Sequence, residues 1–375
     1  MEGQRLRALH VHSGNLYGGV ERVCEALARE AGRGALESSF ALCFEGRLAK
    51  GLTAASASVY SLGAVQVRRP DQVRRGRRRL RVLLASHRPD VAVVHSSWAQ
   101  AIFGPVCAGA RVPLVRWMHA PNPGPAWLEW WAARSPLAFV ICNSRYTCER
   151  MDGHTAVGRA VVYPPMTTPM VPDGARDEVR RTLRVAPSTV VVIVAARLEA
   201  WKGHRLLLEA FAGMSASNCE LWVVGGVQRP SERDYLGALM RDAARRGIAD
   251  RVRFLGERED VARLLAAADI YCQPNTGPEP FGISVVEALA AGIPVVTTRL
   301  GAAPEIVDDS CGRLVDPGDA AALTSTLAVL AADADVRQRL GRAGVARAAQ
   351  FSDLTVSTAR LAEAIRSGIK LPVLS

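Results

Sequence analysis

Glu279 and Glu287 flank a turn rich in glycine and proline, within Asn275-Thr276-Gly277-Pro278-Glu279-Pro280-Phe281-Gly282-Ile283-Ser284-Val285-Val286-Glu287. Gly277, Pro278, Pro280 and Gly282 hold the first part in a loop, and residues 284–291 are helix-compatible, with Gly292 and Pro294 as a stop. Glu279 therefore precedes a helix, whereas Glu287 lies within it, after about one turn. The free backbone N–H groups of a helix start form an anion site. A diphosphate can rest on them while Glu287 accepts bonds from ribose hydroxyls and Glu279 from sugar hydroxyls on the other side. The plain alternative is a pair of glutamates that merely favour a helix start and an exposed face. The Pro-Phe-Gly between them argues for a built loop.

A second group follows the apolar run 190–195: Ala196-Arg197-Leu198-Glu199-Ala200-Trp201-Lys202-Gly203-His204. Two cations directly beyond a strand suit the bridging of phosphate oxygens, arginine as a planar fork and lysine as a point charge. Negative charge grows on a departing diphosphate, and fixed cations there stabilise the transition state. Lysine is scarce in this chain (Lys50, Lys202 and Lys370), which makes its presence at this spot informative against the reading of two solvated charges. A third group, His10-Val11-His12-Ser13-Gly14-Asn15-Leu16-Tyr17-Gly18-Gly19-Val20, reads as strand, glycine-bearing loop and helix. Gly18 and Gly19 allow close backbone approach to a phosphate or a sugar, or serve a tight turn.

These groups need elements to position them. Short apolar runs alternate with longer amphipathic stretches, the pattern of βαβ units and parallel sheets. Strands are expected near 6–11, 40–44, 91–95, 114–118 and 139–142, then near 190–195, 220–224, 251–255, 270–272 and 294–297. Helices are expected over 20–31, 204–213, 231–246, 284–291 and, last, 353–366. Residues 162–174 hold four prolines and a glycine and read as a linker. At 375 residues the chain has room for two domains. The expected division is 1–170, 171–350 and a final segment, 351–375. Each main part is an α/β doubly wound sheet, with ligands beyond the carboxyl ends of its strands. Two such domains facing each other would place the chemistry in the cleft between them.

Composition narrows the class. With 49% hydrophobic and 22% charged residues the chain is globular, not disordered. The net charge of +11 comes almost wholly from arginine and is compatible with an Arg coding bias, an anionic membrane, a nucleic acid or a phosphorylated substrate. Eight cysteines are scattered, without a CxxC pair or clustered histidines, which suggests reduced buried thiols in a cytoplasmic protein rather than disulfides or zinc. The opening residues lack a signal-peptide core, and no apolar run approaches the length of a spanning helix.

Taken in order, these motifs resemble the retaining glycosyltransferases of family 4, which have the GT-B fold of two Rossmann-like domains. The matching residues are Gly18-Gly19, Arg197 and Lys202 in an RLxxxKG pattern, and Glu279/Glu287 in an E-x7-E pattern. Supporting matches are Val223-Val224-Gly225-Gly226, Val252-Arg253-Phe254-Leu255-Gly256, Asp269-Ile270-Tyr271-Cys272-Gln273-Pro274 and Gly301-Ala302-Ala303-Pro304-Glu305.

The resemblance implies a UDP- or GDP-linked sugar donor held mainly by the C-terminal domain. It also implies transfer with retained configuration, and no obligatory metal or other cofactor. Arg197 and Lys202 would bind the diphosphate, and Glu287 the ribose. Glu279 would contact the transferred sugar, assisted by amides near Phe281, Gly282 and Ile283, and the strand end from Arg253 through Leu255 to Gly256 would flank the base. His119, in Trp117-Met118-His119-Ala120-Pro121, matches the family's strand-end histidine of the acceptor domain and would contact donor sugar or acceptor hydroxyl rather than act as a dedicated base. Its Ala-Pro sequel departs from the commoner His-Asp.

The acceptor would be a hydroxyl of a glycan, lipid or natural product. His95, after another strand, reads as a satisfied core or rim histidine. Residues 68–81 are suited to a basic amphipathic helix that contacts an anionic membrane from the cytoplasmic side, or else to a solvated helix rich in arginine. Trp127, Trp130 and Trp131 could edge an acceptor groove, although such spacing more often means packing. The final helix, in this fold, commonly returns to the N-terminal domain.

Other readings fit less well. An epimerase of the same fold would show donor chemistry with no acceptor, and a sugar phosphorylase would need free phosphate and no nucleotide; the arrangement of Glu279 and Glu287 with Arg197 and Lys202 favours transfer. A basic nucleic-acid-binding protein would show an aromatic-basic module, so no nucleic-acid partner is expected. A nicotinamide oxidoreductase would carry GxGxxG with an acid about twenty residues on.

Overall fold

A computed structural model describes residues 5–13, 17–30, 34–121, 125–151, 157–167, 170–215 and 218–369. Residues 14–16 of the first glycine-bearing loop and 168–169 of the proline-rich segment lie outside the described residues. The chain forms two compact units. The first comprises Met1–Thr167 with Asp353–Ser375, and the second Thr168–Ser352.

In the first unit seven described strands form one parallel sheet: β1 (Leu6–His12), β2 (Leu36–Leu42), β3 (Ser58–Ser61), β4 (Val91–Val94), β5 (Leu114–Met118), β6 (Phe139–Cys142) and β7 (Arg159–Val161). Their order is β3-β2-β1-β4-β5-β6-β7. Leu6 of β1 pairs with Leu36 of β2, and on its other side Ala8 pairs with Val91 of β4. The order reverses between β1 and β4, the kind of place where open α/β sheets take their ligands. Strands such as β4 are buried throughout, which explains their unbroken apolar runs. Leu9, Val11, Leu80, Phe103 and Val106 belong to the core on one face. The helix Leu354–Ile369 packs against β2 and β6 with Leu361, Ala362 and Ile365 fully buried. Thr355 of this helix also donates to Glu30 Oε1 at 3.1 Å.

The second unit repeats the plan with β8 (Val190–Ala195), β9 (Cys219–Val224), β10 (Val252–Gly256), β11 (Ile270–Gln273), β12 (Val295–Thr298) and β13 (Gly312–Val315), in the order β10-β9-β8-β11-β12-β13. Every described pairing is parallel, and here the reversal falls between β8 and β11. Leu207, Phe211, Leu221, Leu323 and Leu327 lie in its core. The helix Ala334–Ser352 packs on the helix Ile283–Ala290, and Phe351 meets Phe281 edge-on with ring centroids 6.1 Å apart.

The basic segment is a helix, Pro70–His87, longer than its sequence suggests. Val73, Leu80, Leu83 and Leu84 face the core, while Arg74, Arg75, Arg78, Arg79 and Arg81 are exposed. Arg77 is an exception, because its Nε donates to the Ile102 carbonyl at 2.7 Å. Helical periodicity also turns Trp127 and Trp130 outward on Ala126–Ala132, whereas Leu128 and Ala132 pack inside; the packing reading therefore does not hold for those two tryptophans. All eight cysteines are unpaired, and all but Cys148 are buried. Among the described residues no helix is long and apolar enough to cross a membrane.

Candidate active site

The segments that follow β8 and β11 come from the two strands at which the order of the second sheet reverses. After β8 the chain makes one turn of 3-10 helix, Ala200–Lys202, and enters the helix His204–Ala212 through Gly203. After β11 it passes Pro274 to Glu279 and enters the helix Ile283–Ala290 through Gly282. The two segments are fastened backbone to backbone, with the Thr276 and Gly277 amides donating to the Trp201 carbonyl at 2.8 and 3.3 Å.

Glycine is required where they touch. Gly203 has φ +77°, and a Cβ there would lie 1.8 Å from the Pro274 carbonyl oxygen. Gly301, in the turn after β12, packs as closely on the second segment: its φ is +64°, and a Cβ there would fall 2.1 Å from the Glu279 carbonyl oxygen. Any other side chain would strain the turn and push the loop away.

This contact brings Lys202 onto Glu279. The Lys202 ammonium donates to Glu279 Oε2, and Gln273 Nε2 donates to the same oxygen at 3.1 Å. Both charged side chains are 12% exposed, so solvent screens the pair weakly and its partners must replace lost hydration. The ammonium also stands 4.0 Å from the Trp201 ring centroid.

Beneath the pair lies a buried polar network. Tyr271 donates to Gln273 Oε1 at 2.7 Å, Gln273 Nε2 donates to Asn275 Oδ1 at 3.0 Å, and Thr298 Oγ1 donates to the Asn275 carbonyl at 2.7 Å. Burial pushes the Tyr271 phenol up, so it remains a donor at neutral pH. The sequence reading missed this support. Its visible signal is polar residues, Gln273 and Thr297-Thr298, at the ends of otherwise apolar strands.

The other expected residues of this unit are distributed unevenly. Arg197 is held by Glu199 at 3.0 Å, and the same carboxylate accepts from Trp201 Nε1 at 3.1 Å. Phe281 is buried, Gly282 is the residue before the helix, and Ile283 opens it, so their amides belong to the helix start. Glu287 lies on the buried side of that helix. Leu255 is near the carboxyl end of β10, on the sheet edge.

Arg253, expected beside a base, is engaged by protein groups. It sits at the beginning of β10 with Nε and Nη2 on Glu220 of β9 at 2.7 and 2.9 Å, while Nη1 donates to the Leu183 carbonyl. All its nitrogens hold the sheet edge. Spacing alone cannot tell a strand residue at the amino end from one at the ligand end.

The first unit carries the remaining candidates. Gly18 precedes the helix Gly19–Arg29, and its amide donates to Glu21 Oε2 at 2.8 Å. The other oxygen of Glu21 pairs with His12 Nε2 at 2.8 Å, which ties the glycine turn to the end of β1. His119, just past β5, is partly buried, and its Nε2 lies 2.9 Å from His95 Nδ1. His95 is satisfied, as expected of a core histidine, but one of its partners is His119 itself. Burial and the neighbouring His12 and His10 hold His119 down at about 3, so it is uncharged at neutral pH.

Comparison with known proteins agrees with these two halves. Residues 175–347 match the family described as Glycosyl transferases group 1, and residues 17–168 match Glycosyltransferase Family 4. A phosphatidyl-myo-inositol mannosyltransferase of Mycobacterium leprae is 35% identical over 182 residues, covering 46% of each chain. A D-inositol 3-phosphate glycosyltransferase of Corynebacterium efficiens is 34% identical over 193 residues, 50% of this chain and 45% of that one. The chain thus spans about half the length of the curated relatives it matches.

Among solved structures, Anabaena HepE in complex with UDP and glucose superposes with a TM-score of 0.84 at 24% identity, over 97% of this chain and 100% of that one. WaaG, a glycosyltransferase involved in lipopolysaccharide biosynthesis, gives 0.71 at 19% identity over 95% and 98%. With one matching family on each unit and the same fold over nearly its whole length, the chain belongs to the family 4 glycosyltransferases of the GT-B fold.

Proposed function

We propose that this glycosyltransferase moves a hexose from a UDP- or GDP-hexose to a hydroxyl of a glycan, lipid or natural-product acceptor, with retained configuration and without an obligatory metal. The observation that carries the proposal is the Lys202–Glu279 pair beside the start of the helix Ile283–Ala290. In it a cation and amides suited to a diphosphate stand next to a carboxylate suited to sugar hydroxyls. As the sugar–phosphate bond breaks, Lys202 and Arg197 stabilise charge on the departing diphosphate. The helix-start amides at Gly282 and Ile283 act on the same oxygens. Glu287 takes the ribose, and Glu279 orients the sugar. His119, with Gly18 and Gly19, serves the sugar and acceptor from the first unit. Compounds related to inositol phosphates, which the names of two relatives mention, are the first acceptors to try.

A panel of nucleotides screened for thermal stabilisation identifies the base, because tight binding raises the melting point. With the matching hexose donors, Glu279→Gln is expected to lower turnover strongly and leave nucleotide binding nearly intact. Glu287→Ala is expected to weaken nucleotide affinity. Wild-type transfer in both variants would overturn the assignment of these acids, and activity abolished by chelator and restored by magnesium would overturn metal independence. The exposed arginines of Pro70–His87 suit an anionic bilayer at roughly 1 kcal/mol each. Vesicles of anionic lipid should retain the protein at low salt and release it at high salt; equal retention on neutral vesicles would count against this.

A further inference from the structure

Four of the seven histidines gather at the carboxyl ends of β1, β4 and β5, and the transferase reading uses only the outermost. His10 Nδ1 lies 3.0 Å from His95 Nε2, and His95 Nδ1 lies 2.9 Å from His119 Nε2. The rings stack in sequence, with centroids 5.2 Å apart at both steps. Trp117 covers His95 and His119, at 5.7 and 5.4 Å. His12, edge-on to His95 at 5.7 Å, stays outside this run, because its Nε2 is on Glu21. The three imidazoles therefore form one unbranched line that ends inside the unit. The inner end, His10 Nε2, is buried without a partner among the described residues. At the outer end His119 is partly exposed, and its Nδ1 has no partner among the described residues.

Each internal link joins two ring nitrogens and so needs one proton. Burial lowers His10 and His119 to about 3 and His95 well below its ordinary value, so all three rings are neutral at pH 7 and carry one N–H each. Only two arrangements then satisfy both links. In the first, His119 donates inward to His95 and His95 to His10, which strands an N–H of His10 in the core without an acceptor. In the second, His10 donates to His95 and His95 to His119, and the stranded atom is only a lone pair. A buried N–H with no acceptor is the rarer defect in folded proteins.

We propose that His95, backed by His10, is a positioning residue that holds His119 as the Nδ1–H tautomer. The first unit then offers substrate a hydrogen-bond donor rather than a base. The tautomer is a property of the free protein. Only the identity of the oxygen it meets, a sugar or acceptor hydroxyl, rests on the transferase reading above.

Histidine-selective 15N labelling of the full chain, with two-bond proton–nitrogen correlations at pH 7, reads each tautomer directly; the signal that His119→Gln removes identifies His119. The wild type should show Nδ1–H at His119. His95→Asn, whose amide can donate from the position of Nδ1, should preserve it. His95→Phe, similar in shape but unable to donate, should release His119 to the Nε2–H form that free histidine prefers and lower kcat about tenfold. An Nε2–H signal for His119 in the wild type, or an unchanged tautomer in His95→Phe, would overturn the proposal. If His95→Phe does not fold, the wild-type spectrum decides alone. Loss of the transferase reading would leave these spectra unaffected, and the reverse also holds.

Discussion

At the reversal of its sheet, the second unit sets Lys202 against Glu279 and Arg197 against Glu199, all fixed charges. The first unit, with the same core strand order, sets three neutral imidazoles in a line there and keeps one carboxylate, Glu21, on His12. The strand order decides where loops converge, and the loop residues decide what that place can hold. Charged groups suit a ligand that changes charge as it reacts, such as a departing diphosphate. Neutral donors in a dry setting suit hydroxyls, which must be oriented without being ionised.

The sharpest way to break this contrast is Lys202→Met. Removing a fixed cation from a poorly solvated site should cost about 100- to 1000-fold in kcat, well beyond the effect expected for His95→Phe. Steady-state rates with the donor found by the nucleotide panel check the order, and equal losses would erase the distinction between the units. Next comes Gly203→Ala, whose Cβ would meet the Pro274 carbonyl at 1.8 Å with φ at +77°. It should destabilise the second unit by more than about 1 kcal/mol and lower turnover by displacing the Lys202 turn, measured by denaturant unfolding alongside rates.

Acid should act on the first unit. The unfolded chain takes up protons on its histidines near 6.5, whereas His10 and His119 in the fold do so only near 3. Between those values the unfolded state binds more protons, so the first unit loses stability as pH falls through that window. Urea midpoints followed from pH 7 to pH 4 should decline, and His10→Leu should make the decline shallower. The smallest effect belongs to Arg253→Gln. Its partly buried pair with Glu220 is worth on the order of 1 kcal/mol, and donor affinity should not change. A large loss of nucleotide binding would instead assign Arg253 to the donor site.

Which elements were legible in the sequence follows from burial. β6 and β8 are unbroken apolar runs, and β5 is interrupted only by the buried Arg116, so all three are readable to both ends because helices cover both faces. β3, β7 and β13 went unread, and all three lie at a sheet edge, where one neighbour is missing and partly polar runs such as Ser58-Val59-Tyr60-Ser61 are tolerated.

Within the site, Lys202 and Glu279 were each legible from local spacing, but not their union, which joins positions 77 residues apart. The histidine line is harder still. His10, His95 and His119 share only their place at strand ends, across separations of 85 and 24 residues, and a lone histidine carries no local pattern. The contacts of Arg253 were illegible for a related reason: its motif marks the strand, but the direction of its guanidinium is set by Glu220 on the neighbouring one.

The path of the chain has a consequence for biogenesis. The helix Leu354–Ile369 belongs to the first unit, yet a ribosome makes it only after every residue of the second. Until then β2 and β6 lack the helix that covers them, although domains ordinarily fold as they emerge. The first unit must wait, exposed to chaperones and proteases, while the later-made second unit can close ahead of it. A message cut short just before this helix therefore yields a chain whose second unit is whole and whose earliest-made part is left open.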